Sequence, residues 1–295
     1  MSDVPMEPEK EPRWKDGELD KIYNDDEYTD VIQRLSRDLR VASESLSEDE
    51  ARYLVAGYYN LQELRIRCDA QMGTLDKTQQ PSLVISWLGN QSRMLEGQIR
   101  AALDRFSANH RFGPWPRSIV GIGPVIAAGL IAHTDMSHLT TAGHLWSFAG
   151  LDPSKTWERG QKRPWCADLK VLCWKIGQSF MKVQSNPNDI YGKVYKTKKE
   201  IYITKNESGG FKENAVKALE KRRWRKETEA YKIYTSGKLP PGHIDAMARR
   251  YATKLFLAHY WEVAWRIDHP GEQPPLPYPI VHLNHVHYIP PPRFG

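Results

Sequence analysis

The most apolar stretch of the chain is punctuated by two glycines and a proline: Ser118-Ile119-Val120-Gly121-Ile122-Gly123-Pro124-Val125-Ile126-Ala127-Ala128, continuing to Ala132. A run this apolar has to be buried, and it is shorter than the ~20 residues a membrane-spanning helix needs. Pro124 suits the first position of a helix, where its missing N–H costs little. Gly121 and Gly123 permit backbone angles and close approaches that a Cβ blocks. The run therefore predicts a tight turn that feeds a buried helix, with small alanines letting a second helix pack closely.

Helical spacing organises the rest. Ser47-Glu48-Asp49-Glu50 fits a capping box. The helix it opens places Leu54, Tyr58, Leu61, Leu64 and Cys68 on one face. Pro81-Ser82 starts a second helix, with Val84, Leu88, Leu95, Ile99, Ala102 and Phe106 along one side. Residues 45–112 thus read as an antiparallel helical hairpin, or as a coiled-coil arm through which two copies form a homodimer. Gly113, Pro114 and Pro116 end the arm, and Asn186-Pro187 marks a later break. Gly209-Gly210 and Leu239-Pro240-Pro241-Gly242 bracket a basic helix over residues 211–234, in which Glu213 and Lys217 are one turn apart. Residues 245–267 read as an amphipathic helix, with Met247, Tyr251, Leu255, Ala258, Trp261 and Trp265 on one side. The expected fold class is mainly α, a helical hairpin or coiled-coil arm followed by a helical domain containing a helix-hairpin-helix. Five segments are expected: an acidic, disordered tail over 1–44, the arm over 45–112, the hairpin domain over 113–200, basic and closing helices over 201–268, and a proline-rich tail over 269–295.

Charge is unevenly placed. Residues 1–52 hold 16 acidic and 8 basic side chains, whereas residues 155–254 hold 24 basic and 10 acidic. A basic block of this length, with aromatics interleaved, points to a polyanionic partner and above all to nucleic acid. The chain has three cysteines, Cys68, Cys166 and Cys173, with no C-x-x-C pair, which disfavours a disulfide framework or a cysteine-rich zinc site. With no apolar leader or membrane span in the sequence, the expected compartment is the cytoplasm.

The glycine turn sits at a helix N-terminus, where exposed N–H groups and the helix dipole favour a phosphate. Gly121, Ile122 and Gly123 are therefore candidate DNA-backbone contacts, which position a duplex without reading its bases. Lys155, Arg159, Lys162 and Arg163 lie beside Trp157 and Trp165, so cations that grip phosphates alternate with rings that stack on unpaired bases. Lys221-Arg222-Arg223-Trp224-Arg225-Lys226 is a second basic run, with Arg222, Arg223 and Arg225 as candidate contacts. His282, His285 and His287 lack zinc-helix spacing, and no metal site is expected there.

The hairpin, together with Asp135-Met136-Ser137-His138-Leu139, Thr141-Ala142, Leu145 and Phe148-Ala149-Gly150-Leu151-Asp152-Pro153, resembles the C-terminal transposase domain of the insertion-sequence one-ten family, also called one-sixteen and nine-oh-two. Looser similarity extends through Tyr191-Gly192-Lys193-Val194-Tyr195 and residues 246–265. The resemblance implies a DNA recombinase, in some members guided by a bridge RNA, so DNA and structured RNA are the implied partners. Two family features depart here. The family's RNase-H-like domain carries four metal-binding carboxylates on a fold with an apolar opening strand, whereas Asp25-Asp26-Glu27 lie in a polar stretch. No cofactor is evident, and a divalent metal enters only with a catalytic partner. The family also places a nucleophilic serine, before a glycine, a few residues after the proline matching Pro153. Here the stretch reads Ser154-Lys155-Thr156-Trp157-Glu158-Arg159-Gly160, leaving Ser154 and Thr156 as candidate nucleophiles in a shifted loop. Three functions follow as expectations: a shortened transposase-like DNA-binding protein, an active serine-type recombinase using Ser154 or Thr156, or a non-catalytic assembly or regulatory protein derived from a transposase.

Overall fold

The computed structural model describes residues 37–74, 83–221, 223–276, 281 and 288–293. These residues form eleven α-helices and no strand, so the chain is mainly α. The helices are α1 (Arg37–Ala42), α2 (Glu48–Thr74), α3 (Leu83–Asn109), α4 (Pro114–Ser118), α5 (Pro124–His133), α6 (Ala142–Phe148), α7 (Ala167–Val183), α8 (Tyr191–Glu207), α9 (Lys212–Glu220), α10 (Glu229–Thr235) and α11 (Pro241–Asp268). Asp25, Asp26, Glu27, Pro81, Ser82, Arg222, His282, His285 and His287 lie outside the described residues.

The capping box forms as read. The Ser47 amide donates to Glu50 Oε2 at 2.8 Å, and the Glu50 amide donates to Ser47 Oγ at 3.3 Å. These bonds favour the Glu50 carboxylate and hold its pKa below the ordinary value. α2 and α3, 27 residues each, run antiparallel. Met72 meets Ser86, Cys68 Cβ faces Gly89, and Arg65 grips Glu96. The seam differs from the predicted one. Val84, Leu88 and Leu95 point outward, Ala102 and Phe106 are buried as expected, and α3 also buries Gly89, Ser92, Glu96 and Leu103. Small residues at Gly89 and Ser92 let the two backbones approach where larger apolar side chains would hold them apart.

α5 is the buried helix anticipated from its composition. Ala127, Ala128, Leu130 and Ala132 are fully buried, and α2, α3 and α7 pack around it. α11 is the second spine, packed on by α6, α7 and α8. It is not amphipathic as read. Of the face as read, Ala258 and Trp261 are buried but Met247, Tyr251, Leu255 and Trp265 are only half-buried, while Ala248, Ala252, Phe256, Leu257 and Tyr260 are buried on other sides because neighbours surround the helix. Phe180, Tyr191, Trp115 and Phe256 knit α4, α7, α8 and α11 through ring contacts of 4.9–5.7 Å between centroids.

The single basic helix expected over 211–234 is two helices, α9 and α10, joined by a non-helical linker. Trp224 folds back, donating Nε1–H to the Ala218 carbonyl at 3.0 Å and packing on Tyr234. Thr228 then caps α10 by accepting from the Tyr231 amide. Phe211, Ala215, Tyr234, Leu239 and Ile244 form a small satellite core beneath this pair. Residues 288–293 lie back on the main body. The Ile289 carbonyl meets His259 Nε2 at 2.8 Å, Trp115 Nε1 donates to the Pro292 carbonyl, and Tyr288 donates to Glu262.

Candidate nucleic-acid interface

The turn between α4 and α5 is held from behind. Gly121 adopts φ +95°, and its carbonyl accepts a 2.5 Å bond from Ser179 Oγ on α7. A Cβ at Gly121 would press on Val183 and Ser179 at 3.1–3.2 Å. Ile122 is buried, so its side chain anchors the turn, and its amide donates to the Ile119 carbonyl at 2.9 Å, which leaves neither group to a phosphate. Gly123 is different. It is exposed, its φ of −85° suits any residue, and a Cβ built there would meet nothing within 4 Å. No side chain caps the N-terminus of α5 that begins at the next residue.

The mouth of this turn opens on a groove of about 500 Å³ formed with α2, α3 and α7. Arg100, Lys175 and Lys182 line it beside Tyr59 and Trp174, and no acidic residue does so among the described residues. Lys175 Nζ lies 3.7 Å from the Tyr59 ring centroid, and partial burial lowers its pKa. None of these residues had been singled out in the sequence. A signal exists, because Lys170, Trp174, Gln178 and Lys182 recur every fourth residue on the solvent side of α7.

The loop before α7 presents the first predicted basic cluster. Lys155, Arg159, Lys162 and Arg163 are all exposed. The Arg163 guanidinium stacks over Trp157 at 5.0 Å, and Trp157 Nε1 donates to the Gln161 carbonyl at 2.7 Å, which closes the loop on itself. At its base, Gly150 takes φ +66°, and a Cβ there would strike Trp165 at 2.8 Å and Lys170 at 2.9 Å. Glycine at 150 thus lets Lys170 reach over the Trp165 ring, 3.9 Å from its centroid. Lys170 has a lowered pKa, from burial first and then from Arg250 and Arg163. Lys254 is likewise lowered, by burial and by Arg250 against the opposing pull of Asp152, and its ammonium sits 4.3 Å from the Trp146 ring. Arg163, Lys170, Arg250 and Lys254 therefore form a crowded cationic surface that a bound polyanion would relieve.

Ser154 and Thr156 are both exposed. Ser154 closes a turn on Asp152, whose Oδ1 accepts from the Ser154 amide at 2.9 Å and from its hydroxyl at 2.8 Å. Those two bonds lower the Asp152 pKa, so the carboxylate beside Ser154 is a weak base. Arg223 and Arg225 are exposed on the linker between α9 and α10 rather than on a helix face. No group of three or more His, Cys, Asp or Glu side chains able to hold a metal occurs among the described residues. Nor is any described helix long and apolar enough to cross a membrane.

With this geometry in place, the relation to known proteins is specific. The family model described as Transposase IS116/IS110/IS902 family matches residues 117–161, from the end of α4 through the glycine turn, α5 and α6 to the basic loop. The chain thus carries a transposase-family segment, and the resemblance first drawn from the motifs between Ser118 and Pro153 holds. Neither the curated proteins nor the solved structures contain a match.

Proposed function

We propose that this chain is a transposase-like DNA-binding protein that takes part in transposition or recombination and grips the DNA backbone through a helix-hairpin-helix and its basic loops. Gly123 carries the reading. The fold gives no steric or conformational reason for glycine at that position, whereas a phosphate approaching the bare α5 N-terminus does. The crowded cations Arg163, Lys170, Arg250 and Lys254 supply the electrostatic attraction, with Lys155, Arg159, Lys162, Arg223 and Arg225 around them. The matching experiment titrates duplex and junction DNA across a salt series. Steep loss of affinity with rising salt supports the proposal, and no binding at low salt overturns it.

The arm supports a second element of the same reading, a homodimer through residues 45–112. Val84, Leu88 and Leu95 on α3 and Ile66 on α2 are exposed apolar side chains on the two arm helices. By helical spacing Val84, Leu88 and Leu95 share one face of α3, and a contiguous exposed apolar patch marks an interaction surface.

A further inference from the structure

We propose that the solvent face of α7, from Lys170 and Trp165 through Trp174 to the groove at Tyr59, Lys175 and Lys182, is a track for an unpaired polynucleotide strand. The inference rests on the nucleic-acid reading above and names the form of nucleic acid that this face takes.

Five observations converge. Lys170, Trp174, Gln178 and Lys182 stand one turn apart on one helix, so they form a continuous stripe roughly 18 Å long. The stripe ends in the ~500 Å³ groove, whose lining cations are Arg100, Lys175 and Lys182 and whose polar side chains Gln62 and Gln178 can bond a base edge. The acidic group that acts on Lys175 is Glu63, which is itself paired with Arg67 at 3.6 Å. Cations and rings alternate along the face: Arg163 on Trp157, Lys170 on Trp165, Lys175 on Tyr59. Trp174 is 60% exposed between them, a large apolar surface for which packing offers no reason.

The rings choose between a duplex and a single strand. A duplex shows proteins its phosphates and base edges, and its base faces are stacked on one another. An exposed tryptophan in a basic groove gains contact area only from a base whose face is open. The track leads to the glycine turn, which offers a backbone contact, so the two together suit a site where paired and unpaired DNA meet.

The test uses the full chain with labelled oligothymidylate, oligouridylate, blunt duplex and duplex with a single-stranded overhang. The overhang substrate and oligothymidylate should bind more tightly than the blunt duplex at equal salt. Trp174→Ala should weaken single-strand binding about tenfold and leave blunt-duplex binding within about twofold. Trp174→Phe, which keeps a ring, should restore most of the loss. Replacing Lys175 and Lys182 together by Ala should lower the slope of log affinity against log salt for the single strand by about 1.4. Equal binding of oligouridylate extends the track to RNA strands, and its exclusion assigns the track to DNA. If Trp174→Ala leaves single-strand affinity unchanged while duplex binding persists, the track is refuted and the DNA-binding reading stands. If no polynucleotide binds at low salt, both fail.

Discussion

Two glycines separated by a single residue are held by different forces. Gly121 is required by the fold, since φ +95° and the packing of Val183 and Ser179 both exclude a side chain. Gly123 has room for one. Gly121→Ala should therefore lower stability by ~1–2 kcal/mol in urea unfolding, whereas Gly123→Ala should cost only about 0.5 kcal/mol through the weaker N-cap. Binding should order them the other way, with Gly123→Ala weakening DNA affinity beyond any loss of folded protein. Equal effects of both changes on stability, and none of Gly123→Ala on binding, would remove the reason for placing a phosphate there. Much of this was legible from the residues, because Gly-Ile-Gly-Pro before a run of small apolar residues dictates a turn into a buried helix. The distinction between the two glycines was not. It depends on Ser179 and Val183, which are distant in sequence and arrive only when α7 packs behind the turn. The same holds for Ser154, whose hydroxyl is committed to a turn with Asp152.

At the scale of elements, the arm is fastened by a polar contact. Arg65 Nε and Nη2 meet both oxygens of Glu96, at 2.7 and 3.3 Å, and Glu96 is buried while Arg65 reaches solvent. The two halves of the pair are thus unequal. Arg65→Ala strands a buried carboxylate and should cost roughly 2–3 kcal/mol, whereas after Glu96→Ala the guanidinium can turn to Asp69 and solvent, for a loss of about 1 kcal/mol. Denaturant melts of the two single variants and the double variant test this ordering, and equal single losses would contradict it. The exposed stripe on α3 makes a separate prediction. Val84→Glu with Leu88→Glu should convert a dimer to a monomer in light scattering without unfolding the hairpin, and an unchanged oligomer would exclude the arm as its interface. Helices with caps and breakers were readable, as α2 and α5 show. The division of 211–234 was not, since no glycine or proline marks it. Trp224 packing on Tyr234 decides it, a tertiary preference that overrides the helical propensity of a Lys/Arg run. The burial of α11 on several sides escaped reading for a related reason, because several neighbours pack on it and no single periodic face carries the core.

At the scale of the whole molecule, four buried or half-buried histidines among the described residues, His110, His133, His243 and His259, have pKa values lowered chiefly by burial. His259 also joins the 288–293 segment to Tyr191, through Nε2 to the Ile289 carbonyl and Nδ1 to the Tyr191 hydroxyl at 2.7 Å. The unfolded chain takes up protons near the ordinary histidine value of 6.5, before the folded chain does. Stability from these groups is therefore full above that value and is lost as pH falls below it towards the folded pKa values. The melting temperature should fall between pH 7.5 and 5.5, and His259→Gln should make the fall shallower. A melting temperature that rises on acidification would contradict this assignment. The basic block over 155–254 supplies the cations that crowd around Arg250 and, together with Arg100, line the groove. Binding of duplex and overhang DNA to the full chain, measured from low to moderate salt, tests the central claim most directly. The account predicts affinity that falls linearly on a double-logarithmic plot, with a slope reduced by about 1 for each phosphate-contacting Lys or Arg replaced on this face. Absence of binding at low salt, or affinity indifferent to salt and to those replacements, would contradict it.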